Sequence, residues 1–177
     1  IRDSNRYKNS LYYIDSLIAQ VLDNVDLDNT IVVITSDHGE EFNDHQMNYW
    51  GHTGNYSATQ VHVPLYVYMP KKAPQTIRYR TTHFDIVPTL MSQLFDVTTS
   101  PESYSVGHNL FNENASRDWF IAGSYYNYAL VGRENMLVVN PGGHSQLLRN
   151  DLHIDHSGRV PVETMQRALD EMSRFYY

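Results

Sequence analysis

The chain has 177 residues, 41% of them hydrophobic and 19% charged, which excludes a disordered polymer and leaves room for about one domain with a real core. Thirteen Lys+Arg against 20 Asp+Glu give a net charge of −7, the wrong balance for a dedicated nucleic-acid binder. No cysteine is present, so disulfide scaffolds, thiolate-ligated zinc and thiol catalysis are excluded together.

Residues 4–25 read as a helix, because Leu11, Ile14, Leu17, Ile18, Val21, Leu22 and Val25 recur at three- and four-residue spacing and share one face. That stripe is expected to be buried against a large partner surface. A polar break at Asn24, Asp26, Asp28 and Asn29 follows, and then residues 30–35 form an unbroken β-branched run. A run without alternation reads as a strand covered on both faces, the pattern of a parallel sheet between helices. Residues 36–60 carry no regular period and are polar, aromatic and rich in His and Gly, which marks a functional loop. Residues 63–69 read as a second strand, with Pro64 at its entrance. Residues 81–95 read as a helix with Asp85 as N-cap and Pro88 in the first turn.

The texture changes near Thr98. Short β-type runs at 119–122, 128–131, 136–139 and 146–148 are separated by Gly, Asn and Pro, as in an antiparallel meander. Residues 162–177 read as a closing helix with Met165, Leu169, Met172 and Phe175 or Tyr176 on one side. Two parts of one domain are therefore expected, a core over 1–97 and a meander with its helix over 98–177. No apolar run approaches the roughly 18 residues of a membrane span, and no leader is visible. The opening at Ile1 suggests a piece of a longer protein.

The chemistry concentrates in Ser36-Asp37-His38-Gly39-Glu40-Glu41, directly after the first strand, where α/β sheets gather their ligands. A carboxylate beside an imidazole offers one oxygen and one nitrogen to a divalent ion, and Gly39 permits a turn behind them. Four of the nine histidines, His38, His45, His52 and His62, fall within 25 residues, and Gly51 and Gly54 flank His52 with small residues. On residues alone, the Asp37-His38 pair reads equally well as a metal site or a hydrogen-bonded turn. Glu40 and Glu41 are either ligands or supporting and surface groups, and His83 either caps the helix start or reaches a site edge. The other histidines read as loop residues. The tyrosines of Tyr125-Tyr126-Tyr128 could face a lipid or a partner. Two glycosylation-type triplets begin at Asn55 and Asn114, and a glycan at Asn55 would sit inside the candidate site.

Ser36-Asp37-His38-Gly39-Glu40, Gly51-His52, Val63-Pro64-Leu65 and Asp85-Ile86-Val87-Pro88-Thr89-Leu90 together resemble the second half of the alkaline phosphatase/sulfatase superfamily, over about residues 5–95. Ser103-Tyr104-Ser105, the run from Gly107 to Asn112, Arg117 and Trp119 resemble more narrowly the periplasmic domain of an inner-membrane branch of that family. The resemblance implies a three-layer α/β/α fold around a mainly parallel sheet, with a small antiparallel C-terminal extension. It implies that Asp37 and His38 ligate a divalent metal ion (Zn, Mn, Mg or Ca) and that His52 is catalytic, contacting a second metal or the ester oxygens. It implies a nucleophile and further acidic ligands upstream, and sulfate or phosphate esters, or a lipid head group, as substrate. For the inner-membrane branch it implies a periplasmic soluble domain that senses lipopolysaccharide (lipid A) and acts through membrane partner proteins. Because imidazole ligates only when deprotonated, metal affinity is expected to fall towards about pH 6. A helix stripe and sheet edge lacking their cover would also favour self-association.

Overall fold

The computed structural model describes residues 2–115 and 117–175, in two compact units, Ile1–Pro74 and Gln75–Tyr177. The units part at Pro74/Gln75, ahead of the change in sequence texture near Thr98.

In the first unit, helix α1 (Arg2–Leu22) carries the stripe read from the sequence, but no residue of it is buried. Leu11 and Ile14 are each 48% exposed and Val21 is 62% exposed, so the expected burial of this face is not found. A 3.6-residue period identifies an apolar face without saying that anything covers it. The helix ends earlier than expected because the Asn24 side chain bonds back to the Gln20 carbonyl at 2.8 Å, and Asp26 then accepts from Asp28 N–H and the Asn29 amide. Strand β1 (Val32–Thr35) leads into the candidate loop. Within that loop β2 (Glu41–Phe42) pairs with β3 (Trp50–Gly51), and helix α2 (Ala58–Val61) closes it. Strand β4 (Leu65–Tyr68) returns beside β1 in antiparallel register, Val32 opposite Tyr68 and Thr35 opposite Leu65.

The α/β class stands as expected, yet β1 is paired antiparallel and its residues are half-buried or exposed. The β-branched run thus reported a strand, but neither the expected cover on both faces nor the strand direction, which leaves no mark on composition. Ring contact between Tyr7 and Phe42, centroids 5.4 Å apart, links α1 to β2.

The second unit begins with a 3₁₀ turn at His83–Asp85 that runs into α3 (Ile86–Phe95). Asp85 sits at the predicted N-cap position, but its carboxylate turns backwards and accepts Thr82 N–H at 2.6 Å. The same buried carboxylate accepts His108 N–H at 2.8 Å and pairs with Arg117 at 2.9 Å. Three separate stretches of chain are joined at one side chain.

Strands β5 (Phe120–Gly123), β6 (Tyr128–Val131), β7 (Asn135–Val139) and β8 (Ser145–Arg149) form the expected antiparallel meander in sequence order. Ala129, Leu130, Val131, Met136 and Val138 are its buried side chains. The closing helix α4 (Val162–Ser173) buries Ala168, while Met172 is half-buried and Met165 and Leu169 remain exposed, so the expected apolar side is covered only in part. Tyr176 and Tyr177 of the expected helix lie outside the described residues. No helix among the described residues is long and apolar enough to cross a membrane.

Candidate metal centre

The loop after β1 is shaped by close backbone approach. Gly39 N–H donates to the Gln60 carbonyl at 2.8 Å, and a Cβ at position 39 would collide with the Thr59 carbonyl oxygen. Gly39 is therefore required for contact with α2, not for the sharp turn expected of it. Gly51, opposite Glu41 in the ladder, does need glycine's freedom, at φ 118°. With Glu41 fixed opposite Gly51, their neighbours Glu40 and His52 come together.

His38, Glu40 and His52 each present a ligand atom, and these atoms all lie within 4.8 Å of one another. The two imidazole rings stack with centroids 4.2 Å apart and planes 24° from parallel. His52 Nδ1 is 2.8 Å from Glu40 Oε2, and His38 Nδ1 is 3.0 Å from the Gly39 carbonyl oxygen. Both acceptors lack hydrogens, so each Nδ1 must carry the proton and each neutral ring keeps its lone pair on Nε2. Orientation of a ligand histidine by a carboxylate or a carbonyl on its other nitrogen is the usual support of a metal site.

Asp37 is not in that trio. Its side chain is 85% exposed, but its Oδ2 lies 3.6 Å from His38 Nε2. That separation is too long for a hydrogen bond, and it matches the spacing of two ligands about 2.0–2.2 Å from one tetrahedral ion. Asp37 Oδ1 accepts the His38 backbone N–H at 2.9 Å; this bond, then the attraction of the His38 ring where acid has protonated it, holds the Asp37 carboxyl below the usual aspartate range. An ionised carboxylate, two lone-pair nitrogens and a second carboxylate make a donor set suited to a borderline divalent cation. Asp37 and His38 would hold the ion from the strand tip, with His52 and Glu40 beside it.

Glu41 takes a different part. It is fully buried, and one oxygen, Oε2, accepts from Asn55 at 2.9 Å, Ser57 at 3.0 Å and Gln60 at 2.9 Å. Burial alone would raise its pKa, but the Gln60, Asn55 and Ser57 hydrogen bonds outweigh it and hold the carboxyl below the ordinary glutamate value. Its other oxygen, the Gln60 Oε1 and the His45 Nε2 are buried without a hydrogen-bond partner. Asn55 is tied into this network, so its side chain is committed inward.

His62 is exposed at the end of α2. His83 is exposed at the start of the second unit's 3₁₀ turn, and His108, His144, His153 and His156 also belong to that unit. The partnership of Glu40 with His52 was not read from the sequence, because it depends on the register of two strands of two residues each.

A family profile described as Sulfatase matches residues 2–97. Inner membrane protein YejM of Salmonella typhimurium is 30% identical over 187 residues, covering 99% of this chain and 31% of that protein. An uncharacterised protein of Haemophilus influenzae is 32% identical over 177 residues, covering 99% of this chain and 30% of that protein. The chain thus spans about a third of the length of these relatives. The solved structure of BT4656 in complex with its substrate D-glucosamine-2-N,6-O-disulfate shares the fold, with a TM-score of 0.53 at 17% identity over 91% of this chain and 37% of that one. With more than half its residues matched by the profile and the DHG loop at a strand tip, the chain belongs to the sulfatase family.

Proposed function

We propose that this chain supplies half of a metal-dependent site that cleaves or transfers sulfate or phosphate esters. The observation that carries the reading is the pair of imidazoles, each committed at Nδ1 and open at Nε2, beside the Asp37 and Glu40 carboxylates. A bound divalent ion supplies Lewis-acid polarisation of the ester oxygens and lowers the pKa of a nucleophile. Within this chain, Asp37 and His38 hold that ion, His52 reaches a second ion or the ester oxygens, and Glu40 keeps the His52 ring turned. The nucleophile and remaining acidic ligands are assigned to the part of the relatives' length that this chain does not span. The 177-residue chain by itself is accordingly expected to give no turnover. On this reading it is a periplasmic domain acting on an anionic ester or lipid head group; similarity to an inner membrane protein supports the membrane association.

A second reading is favoured by Asp37, which points mostly into solvent and stands outside the trio. There the sulfatase fold is kept as a non-catalytic regulator that senses lipopolysaccharide (lipid A) and acts on membrane partner proteins. The two readings separate in one assay, hydrolysis of 4-nitrophenyl sulfate and phosphate by the full-length protein and by Asp37→Ala. A loss of about 100-fold or more supports chemistry, and equal rates support the regulator.

A further inference from the structure

Glu41 follows Glu40 directly, yet it takes no part in the trio. A fully buried carboxylate is an expensive filler, and an apolar side chain of similar size would serve packing better. What a carboxylate does that an apolar group cannot is fix the direction of donors. Glu41 Oε2 gathers three of them, from Asn55, Ser57 and Gln60, and Ser57 is held further by Thr59 at 2.7 Å and by its own N–H on Asn55 Oδ1 at 2.9 Å. The Gly39 N–H bond to the Gln60 carbonyl adds a second tie between the same two segments. Residues 39–41 are thus fastened to residues 55–60, and the β2–β3 pairing places Glu41 opposite Gly51. The first segment carries Glu40 and directly follows His38, and the second begins three residues after His52.

We propose that Glu41 is a positioning residue for the candidate metal centre: its buried carboxylate clamps the two loop segments so that the His38 and His52 rings stay stacked, with Glu40 on His52 Nδ1. The consequence for metal rests on the reading given under Proposed function; the clamp itself does not. Neutralising Glu41 while keeping its shape leaves an oxygen for the three donors, whereas truncating it leaves none.

The test uses the full chain as wild type, Glu41→Gln and Glu41→Ala, with two readouts. Cobalt(II) titration followed by visible absorption measures metal affinity and ligand number. Histidine ¹⁵N shifts without metal report which nitrogen of His52 carries the proton. The expected result is cobalt affinity within about threefold of wild type for Glu41→Gln and a loss of about tenfold or more for Glu41→Ala, with the His52 proton no longer confined to Nδ1. A folded Glu41→Ala that binds cobalt as wild type does and keeps the Nδ1 proton overturns the proposal. So does a Glu41→Gln as impaired as Glu41→Ala, because charge rather than geometry would then matter. If wild type binds no cobalt, the metal reading fails and the ¹⁵N shifts alone decide the clamp. If Glu41→Ala does not fold, Asn55→Ala and Gln60→Ala, each removing one arm, are expected to loosen His52 in the same way, and unchanged shifts in both overturn it.

Discussion

The two units solve the problem of holding a chain together by different means. Among the described residues of the second unit, Leu110, Ala129, Leu130, Val131, Met136, Val138, Leu152 and Ala168 are buried apolar groups, and the Asp85–Arg117 pair adds a polar knot. Among its described residues the first unit buries only Tyr56 and Met69 in that class, while Glu41, Ser57 and Gln60 are its buried polar groups. Its apolar stripe on α1 stays open, and its buried polar groups adjoin the candidate site in sequence. The difference teaches that the first unit is built around polar geometry and the second around exclusion of water. Sites need fixed directions, which hydrogen bonds supply and non-directional burial does not.

Substitutions can break or sharpen this contrast. The largest loss is expected in the second unit from Arg117→Ala, which strands a buried carboxylate whose side chain is only 6% exposed. About 3–5 kcal/mol is expected, read by chemical denaturation; a cost below about 1 kcal/mol would show the knot to be decorative. Next comes a matched pair. Met136→Ala, at a side chain 2% exposed, is expected to cost about 2–5 kcal/mol, and Leu17→Ala, at one 39% exposed, less than about 1 kcal/mol. Equal losses in denaturation would mean that the α1 stripe is covered in the working protein, and the contrast would fall. Gly39→Ala is expected to cost about 1–3 kcal/mol, because its new Cβ meets backbone at Thr59 and cannot be relieved by a rotamer change.

The smallest effect is electrostatic and lies at the surface of the second unit. The Arg149 hydrogen bond, with the His153 backbone N–H behind it, lowers the Asp151 pKa from 3.8 to about 2. The folded value lies below the unfolded one, so the pair's contribution is complete above 3.8 and is lost as pH falls through about 2. Carboxyl titration by NMR is expected to move Asp151 back up in Arg149→Ala; an unmoved titration would remove Arg149 as the cause.

Much of this was legible from local pattern. Residues 128–131 were read as a strand and are β6, and the runs at 136–139 and 146–148 fall inside β7 and β8, because alternation and Gly, Asn or Pro breaks are local signals. The Asp37-His38-Gly39 loop was legible as a candidate site because its carboxylate, imidazole and glycine adjoin in sequence. What escaped was set by partners distant in sequence. Glu41 looked like the second of two similar acids, and only Asn55, Ser57 and Gln60, 14 to 19 residues on, make it a buried clamp. Glu40 meets His52 across 12 residues and Asp85 meets Arg117 across 32. Such pairings belong to register and packing, which no short window contains. The open face of α1 escaped for a further reason, since amphipathicity describes one surface and burial requires two.

The central claim is that the loop after β1 is a divalent-ion site built on His38 and His52, and metal titration tests it most directly. Zinc or cobalt added to the full chain, followed by calorimetry at two pH values, is expected to bind with defined stoichiometry. Affinity is expected to weaken on acidification, as protons compete for each Nε2, and to fall at least about tenfold in both His38→Ala and His52→Ala. Binding that is absent in the wild type, or that is unchanged by both substitutions and by acid, would contradict the account.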